Sequence, residues 1–143
     1  MIDRIKEFMY IIQKQLKSLK KLLLPNKVVV IYGPRRCGKT TLLNKFLEET
    51  KDKYILINGE DITVQKNLNS QSIEKLKSFA ENKLLAIDEA QKIKNIGLNL
   101  KLIVDNIKGV KVIATGSSSF DLAKNIGEPL TGRKYTLKLF PLF

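Results

Sequence analysis

The fold of this 143-residue chain is decided by the stretch Gly33-Pro34-Arg35-Arg36-Cys37-Gly38-Lys39-Thr40. It matches the pattern G-x-x-x-x-G-K-S/T at every specified position. The β-branched run Val28–Tyr32 leads into it, and a helical pattern over Lys39–Thr50 leads out of it. A glycine-rich turn between a strand and a helix presents several backbone N–H groups, and the positive end of the helix dipole, to an anion. The stretch therefore predicts a phosphate-binding loop.

The loop residues have separate roles in holding the phosphates of a nucleotide. The two loop glycines permit backbone angles that other residues resist. Lys39 would bridge the β- and γ-phosphate oxygens, and the Thr40 hydroxyl would ligate Mg²⁺. Arg35 and Arg36 would either touch phosphate or stay in solvent. The residues expected to bind the nucleotide are Gly33, Pro34, Arg35, Arg36, Cys37, Gly38, Lys39, Thr40 and Thr41.

A second pattern, Leu84-Leu85-Ala86-Ile87-Asp88-Glu89, is an apolar strand that ends in two carboxylates. Acidic pairs after strands are also common as plain turn residues, but the phosphate-binding loop upstream favours a catalytic interpretation. Asp88 would hold Mg²⁺ together with Thr40, directly or through water. Glu89 would polarise the attacking water as the general base. We therefore expect the metal site at Thr40 and Asp88, and we expect Lys39 and Glu89 to be catalytic.

Two further catalytic candidates lie later in the chain. The run Val110–Thr115 reads as a strand, and hydroxyl-bearing residues follow it. Ser117 is the first choice for a hydroxyl that senses the γ-phosphate and Thr115 the second, with capping of the next helix as the alternative. Arg133 would stabilise the transferring phosphate charge on a neighbouring subunit. A structural ion pair is the alternative role for this arginine.

After the first helix, strands and helices alternate along the chain. The strands lack polar alternation, which is typical of a parallel sheet with helices on both faces. The predicted strands are Val28–Tyr32, Tyr54–Asn58, Leu84–Asp88, Val110–Thr115 and Tyr135–Leu139. The predicted helices span 2–24, 39–50, 71–81 with Ser70 or Ser72 as the cap, 98–107 and 118–125.

The sheet order follows from two features of this pattern. A strand lies between the phosphate-binding loop and the acidic strand, and the glutamate directly follows the aspartate. Both features point to the additional-strand, catalytic-glutamate branch of P-loop proteins. We expect an α/β chain with the three-layer P-loop NTPase fold and a parallel five-stranded sheet of order 5-1-4-3-2.

Residues 1–25 form a predicted amphipathic helix. Its apolar side chains recur at the spacing of one helix face: Ile5, Phe8, Ile12, Leu16, Leu19 and Leu23. Pro25 ends the helix because the residue before a proline avoids the α conformation. Lysines off the apolar stripe would also suit a helix that lies on a membrane surface. Packing against the domain is the expected arrangement.

The composition limits the classes of function. The net charge is +12, from 26 basic and 14 acidic residues, and it reads either as a solvated lysine-rich surface or as a face for nucleic acid. The chain has no histidine, which excludes histidine-based zinc sites, and its one cysteine excludes an internal disulfide. Together with the lack of an apolar run long enough for a membrane span, this favours a cytoplasmic protein.

Four motifs occur in order, at 33–43, 87–93, 115–119 and 130–133. Over about residues 26–142 they resemble the bacterial and archaeal AAA-like ATPases, in which an ATPase domain precedes a C-terminal domain of unknown function. The resemblance implies an AAA+ type core that binds ATP and Mg²⁺ and hydrolyses ATP to ADP and phosphate. We expect this chain to lack the helical lid and the second sensor arginine of such proteins. We therefore expect a single core domain, 1–143, from a truncated or fragmentary product that lacks the lid and the C-terminal domain.

Three functions fit these patterns. The first is an ATP hydrolase, either alone or as a homo-oligomer, and intact Lys39, Asp88 and Glu89 favour it. The second is a truncated nucleotide-binding switch with little turnover, and the third is a basic nucleic-acid-binding scaffold. The Asp-Glu-Ala-Gln stretch at 88–91 also resembles a helicase box. Helicases need two core domains, however, and 143 residues cannot hold both.

Overall fold

The structure is a computed structural model that describes residues 2–34, 36–117 and 130–140. The loop residue Arg35 and the predicted helix Ser118–Asn125 lie outside these ranges. Within them the chain forms one parallel sheet with helices packed on both of its faces.

The sheet has the order β2-β3-β4-β1-β5, and every pairing in it is parallel. Its strands are β1 (Lys27–Gly33), β2 (Tyr54–Asn58), β3 (Leu84–Asp88), β4 (Lys111–Ser117) and β5 (Lys134–Lys138). The predicted order is the same sequence of strands counted from the opposite edge, so the predicted fold class is confirmed. Because β1 lies between β4 and β5, the phosphate-binding loop leaves the sheet next to the end of β4.

Alternate residues of β1 pack into two separate cores. Val28 and Val30 lie in a cluster with α3 (Ile62–Leu68), α4 (Ile73–Ala80) and α5 (Ile96–Asn106). Val29 and Ile31 lie in a cluster with α1 (Ile2–Leu22) and α2 (Lys39–Glu49). All four β1 side chains are at most 3% exposed. A strand buried on both faces explains why this run is continuously apolar.

The helix α1 packs on the domain, as expected for its apolar stripe. Ile12, Leu16 and Leu19 are at most 2% exposed, and they belong to the core cluster on the α2 face of the sheet. The first turns of α1 leave Ile2 and Ile5 exposed. No helix in the described part of the chain has the length and apolar character that a membrane crossing requires.

One helix was missing from the predicted elements. Asp61 caps α3, accepting hydrogen bonds from the N–H groups of Thr63 and Val64. The β-branched residues at the start of α3 disfavour a helix, and tertiary packing of Val64 and Leu68 overrides that preference. A short 3-10 turn at Ala90–Lys92 was also not predicted. The remaining boundaries differ from the expected ones by two residues or fewer, and Ser72 caps α4 as predicted.

Candidate functional site

The phosphate-binding loop depends on close backbone approaches. Arg36 and Gly38 have φ of +63° and +95°, so the loop passes twice through the left-handed region, which glycine adopts without strain. At Gly33 a Cβ would lie 2.4 Å from the carbonyl oxygen of Leu139 and 2.8 Å from Sγ of Cys37. A side chain at position 33 would therefore displace either β5 or the loop.

Lys39 lies inside the loop and is only 6% exposed. Its Nζ donates hydrogen bonds to the carbonyl oxygens of Gly33, at 2.7 Å, and Pro34, at 3.0 Å. An ammonium group has three donors, so one remains for a phosphate oxygen. A buried cation needs compensating partners, and the ion pairs found among the described residues do not include Lys39. An anion bound in the loop would supply the missing negative charge.

The two predicted metal ligands are in direct contact. Thr40, at the start of α2, donates from Oγ1 to Oδ2 of Asp88, at the end of β3, over 3.2 Å. Thr115 in β4 donates to the other oxygen, Oδ1, at 2.5 Å. Mg²⁺ is bound by one or two protein oxygens, with waters and substrate phosphates completing an octahedron. The hydroxyl of Thr40 and the carboxylate of Asp88 fit this donor set.

Glu89 is held by two hydrogen bonds at the carboxyl end of β3. Its backbone is left-handed, with φ 55° and ψ 45°, and its N–H donates to Oγ1 of Thr115 at 3.1 Å. Its Oε2 accepts a hydrogen bond from Nε2 of Gln91 at 2.6 Å. The other amide atom, Oε1 of Gln91, is buried without a partner among the described residues. The donor end of Gln91 is therefore committed to the carboxylate of Glu89.

A cavity of about 290 Å³ opens over the loop. The residues that line it are Arg36, Gly38, Lys39, Thr40, Thr41, Glu60 and Glu89. Five of them come from the predicted nucleotide-binding set, and Glu89 is the predicted base. The loop and the predicted base therefore share one cavity.

Glu60 lines the same cavity but was not among the predicted site residues. It follows β2, which pairs with β3 so that Asn58 lies opposite Asp88. A Cβ on the intervening Gly59 would lie 2.1 Å from the carbonyl oxygen of Glu89. The close approach of the two strand ends brings Glu60 towards Glu89. The polar run after β2 is the signal that could have identified this residue, because parallel strands end at a common edge.

Among the described members of the predicted nucleotide-binding set, three do not line the cavity. Cys37 is 8% exposed and packs into the core cluster of α1 and α2. Pro34 is exposed and contributes its carbonyl oxygen to Lys39. Gly33 lies beneath the loop, where its carbonyl oxygen accepts from Lys39. These three residues therefore support the loop through core packing and through hydrogen bonds to Lys39.

Ser117 ends β4 and pairs in register with Gly33. Its Oγ is buried and has no hydrogen-bond partner in the described part of the chain. Thr115, by contrast, bonds to Asp88 and to the backbone of Glu89. The second-choice hydroxyl is thus the one linked to the acidic pair, while Ser117 stays a predicted sensor of the γ-phosphate.

Arg133 lies at the opposite end of the sheet from the loop. Its carbonyl oxygen accepts from the N–H of Val28, at the start of β1, so the length of β1, roughly 20 Å at 3.3 Å per residue, separates it from the loop. Its Nε donates to Oδ1 of Asp105 at 2.7 Å, and this hydrogen bond raises the pKa of Arg133. A catalytic role for Arg133 stays a prediction, and it requires the site of a second copy.

Comparison with known proteins places this site in a family. Over 130 residues the chain is 34% identical to an uncharacterized protein of Methanocaldococcus jannaschii, covering 88% of this chain and 29% of that protein. It is 26% identical over 129 residues to an uncharacterized ATP-binding protein of Pyrococcus abyssi, covering 89% of this chain and 36% of the relative. A shorter match of 31 residues, 52% identical, covers 22% of this chain and 10% of an uncharacterized ATP-binding protein of Pyrococcus horikoshii. The chain spans about a third of the length of the first two relatives.

The match to a family model covers most of the chain and is not confined to one motif. Residues 25–143 match the AAA domain. That range includes the phosphate-binding loop, the acidic end of β3, the polar end of β4 and the whole of the parallel sheet. The chain therefore belongs to the AAA domain family.

Proposed function

We propose that this chain binds ATP with Mg²⁺ at the phosphate-binding loop and hydrolyses it to ADP and phosphate. The observation that carries the proposal is the hydrogen bond between Thr40 and Asp88, with Lys39 and Glu89 on the same cavity. ATP as the ligand is supported by the AAA domain match and by the names of the two Pyrococcus relatives.

Binding of the phosphates would use the backbone N–H groups at the start of α2 and the ammonium group of Lys39. The first N–H groups of α2 have no partners within the helix, and the helix dipole adds about half a positive charge there. Lys39 would donate its third N–H to a phosphate oxygen. Thr40 and Asp88 would exchange their mutual hydrogen bond for coordination of Mg²⁺. The bound ion would neutralise charge on the phosphate oxygens.

Hydrolysis would depend on the free oxygen of the Glu89 carboxylate. Gln91 donates to Oε2, which leaves Oε1 to accept a proton from water. The water oxygen forms a bond to the γ-phosphorus, and the bond from that phosphorus to the β,γ-bridging oxygen breaks. Positioned general bases contribute about 10²–10⁴-fold to such reactions. Glu89 would therefore control turnover and leave nucleotide affinity almost unchanged.

The proposal is tested by measuring nucleotide binding and phosphate release separately. With Mg-ADP at about 100 times its dissociation constant, thermal unfolding should show a stabilisation of about 2.7 kcal/mol. Lys39→Ala should abolish this stabilisation. Lys45→Ala on the same helix α2 is the matched control and should retain it. An unchanged melting curve of the parent in millimolar Mg-ADP would refute nucleotide binding.

Hydrolysis is tested separately from binding by a variant of the predicted base. Glu89→Gln should bind Mg-ATP with the affinity of the parent and release phosphate at least about 100-fold more slowly. Glu48→Gln, an exposed change on α2, should hydrolyse ATP at the parent rate. If the parent itself binds nucleotide without releasing phosphate, the chain is a nucleotide-binding switch and the hydrolase proposal fails.

A further inference from the structure

The amino ends of the five strands, at the end of the sheet opposite the phosphate-binding loop, carry a row of lysines, here called the lysine edge. Each of the five parallel strands begins with a lysine or directly follows one. In sheet order, from β2 to β5, these residues are Lys53, Lys83, Lys111, Lys27 and Lys134. Neighbouring strands lie about 4.8 Å apart, so the row is roughly 19 Å long. Positive charge therefore crosses the whole width of the sheet at this edge.

A cavity of about 330 Å³ lies in the lysine edge, at the starts of β2, β3 and β4. Its charged lining residues are five lysines and one aspartate: Lys51, Lys53, Lys83, Lys108, Lys111 and Asp52. Asp52 pairs with Lys111 at 3.5 Å. The other four lysines form no ion pair among those found in the described residues. Like charges gathered in one concavity attract a polyanion.

Exposed tyrosines flank the row on both outer strands. Tyr54 follows Lys53 on β2 and is 47% exposed, and Tyr135 follows Lys134 on β5 and is 37% exposed. Tyr54 also pairs in register with Leu84, which lines the cavity. Proteins that bind single-stranded nucleic acid combine a basic groove with aromatic rings on which bases stack. The lysine edge has both features.

We propose that the lysine edge binds single-stranded nucleic acid through its phosphodiester backbone, with Tyr54 and Tyr135 stacking on bases. The +12 net charge alone would equally fit a solvated lysine-rich surface. The proposal rests instead on the row of lysines, the cavity and the two flanking tyrosine rings. The site is distinct from the nucleotide site, because the sheet separates them by roughly 20 Å. The inference does not depend on the proposed hydrolysis.

The test is fluorescence polarisation of a labelled 20-nucleotide oligothymidine with the full chain. The triple variant Lys51→Gln, Lys83→Gln, Lys108→Gln removes three exposed charges from the cavity. The matched control Lys14→Gln, Lys66→Gln, Lys75→Gln removes three exposed charges elsewhere. We expect the cavity variant to bind about tenfold more weakly at 0.1 M salt and to lose about two units of the logarithmic salt slope, at about 0.7 per phosphate contact. Equal losses in both variants, or no binding by the parent, would overturn the proposal.

A second arm distinguishes nucleic acid from other sources of phosphate. Tyr54→Leu should lower the affinity for oligothymidine about fivefold or more, through lost stacking, and leave the affinity for inorganic polyphosphate unchanged. If Tyr54→Leu has no effect on oligothymidine while polyphosphate binds more tightly, the edge takes phosphate chains and the nucleic-acid proposal fails. Binding to vesicles that contain phosphatidylserine, without binding of oligothymidine, would equally refute it.

Discussion

Nε2 of Gln91 donates a 2.6 Å hydrogen bond to Oε2 of Glu89. The two side chains meet because the 3-10 turn at Ala90–Lys92 folds the backbone directly after β3. Hydrogen bonds to a charged group contribute about 1.5–3 kcal/mol, so this bond favours the carboxylate orientation in which Oε2 faces Gln91. We therefore predict that Gln91 positions the carboxylate of Glu89.

We predict that Gln91→Met, which keeps the size and removes the donor, lowers kcat for ATP hydrolysis by about tenfold or more. Affinity for Mg-ADP should stay at the parent value, because Gln91 does not line the cavity. Steady-state phosphate release and ADP titration check the two quantities. Gln91→Glu should be at least as slow, since it places a second carboxylate beside the first. A purely structural role would lower stability and leave kcat unchanged.

The contrast between Thr115 and Ser117 gives a second prediction. Thr115→Val leaves the N–H of Glu89 without its acceptor, so the free energy of unfolding should fall by about 1–3 kcal/mol. Ser117→Ala removes a hydroxyl that has no partner among the described residues, so stability without nucleotide should be unchanged. Urea unfolding of both variants measures this difference. Equal destabilisation would contradict the hydrogen-bond assignment.

The same Ser117→Ala variant tests the predicted sensor. If the Ser117 hydroxyl contacts the γ-phosphate, the variant should bind ATP more weakly and bind ADP with unchanged affinity. Loss of one hydrogen bond to a charged group corresponds to about 1.5–3 kcal/mol, or more than tenfold in affinity. Titrations with ATP and ADP in the presence of Mg²⁺ provide the comparison. Equal affinities in parent and variant would remove Ser117 from the site.

Much of the fold could be predicted because its signals are local. Val28–Tyr32 is apolar at every position that the two cores require, and the glycine-rich loop follows at once. The sheet order came from the position of one additional strand and from the adjacent pair Asp88 and Glu89. The helix α3 was missed because its β-branched residues oppose a helix, and the packing that overrides them comes from distant parts of the chain.

The site could be predicted only where one motif held the residues. Glu60 reaches the cavity through the register of β2 with β3, so the polar run after β2 points to this residue only once that pairing is known. Gln91 contacts Glu89 only because the backbone turns between them, whereas residues two apart in a regular helix do not face each other. The positions of the exposed tyrosines beside the lysine edge likewise become apparent only when the order of the strands in the sheet is known.

A fourth prediction concerns Gly59, between β2 and Glu60. A Cβ at this position would lie 2.1 Å from the carbonyl oxygen of Glu89, so Gly59→Ala must displace the backbone of the predicted base. We expect a loss of about 1–3 kcal/mol in the free energy of unfolding, as for other overpacking changes. Glu60→Ala, which alters an exposed neighbour, should stay within about 0.5 kcal/mol of the parent. Urea unfolding measures both, and a Gly59→Ala variant as stable as the parent would contradict the close approach.

The last prediction concerns Arg133, which pairs with Asp105 far from the loop of its own chain. If copies of the chain assemble, Arg133 of one copy would act on nucleotide bound to another, and such arginines contribute about 10³–10⁵ in rate. Arg133→Ala should then lose hydrolysis, while Asp105→Ala, which breaks the same ion pair, should keep it. Because the pair is exposed, each variant should melt at almost the same temperature as the parent. Mixing Arg133→Ala with Lys39→Ala should restore phosphate release, since each variant supplies what the other lacks. If Arg133→Ala hydrolyses ATP at the parent rate, the catalytic prediction is wrong and the role of Arg133 is the structural ion pair with Asp105.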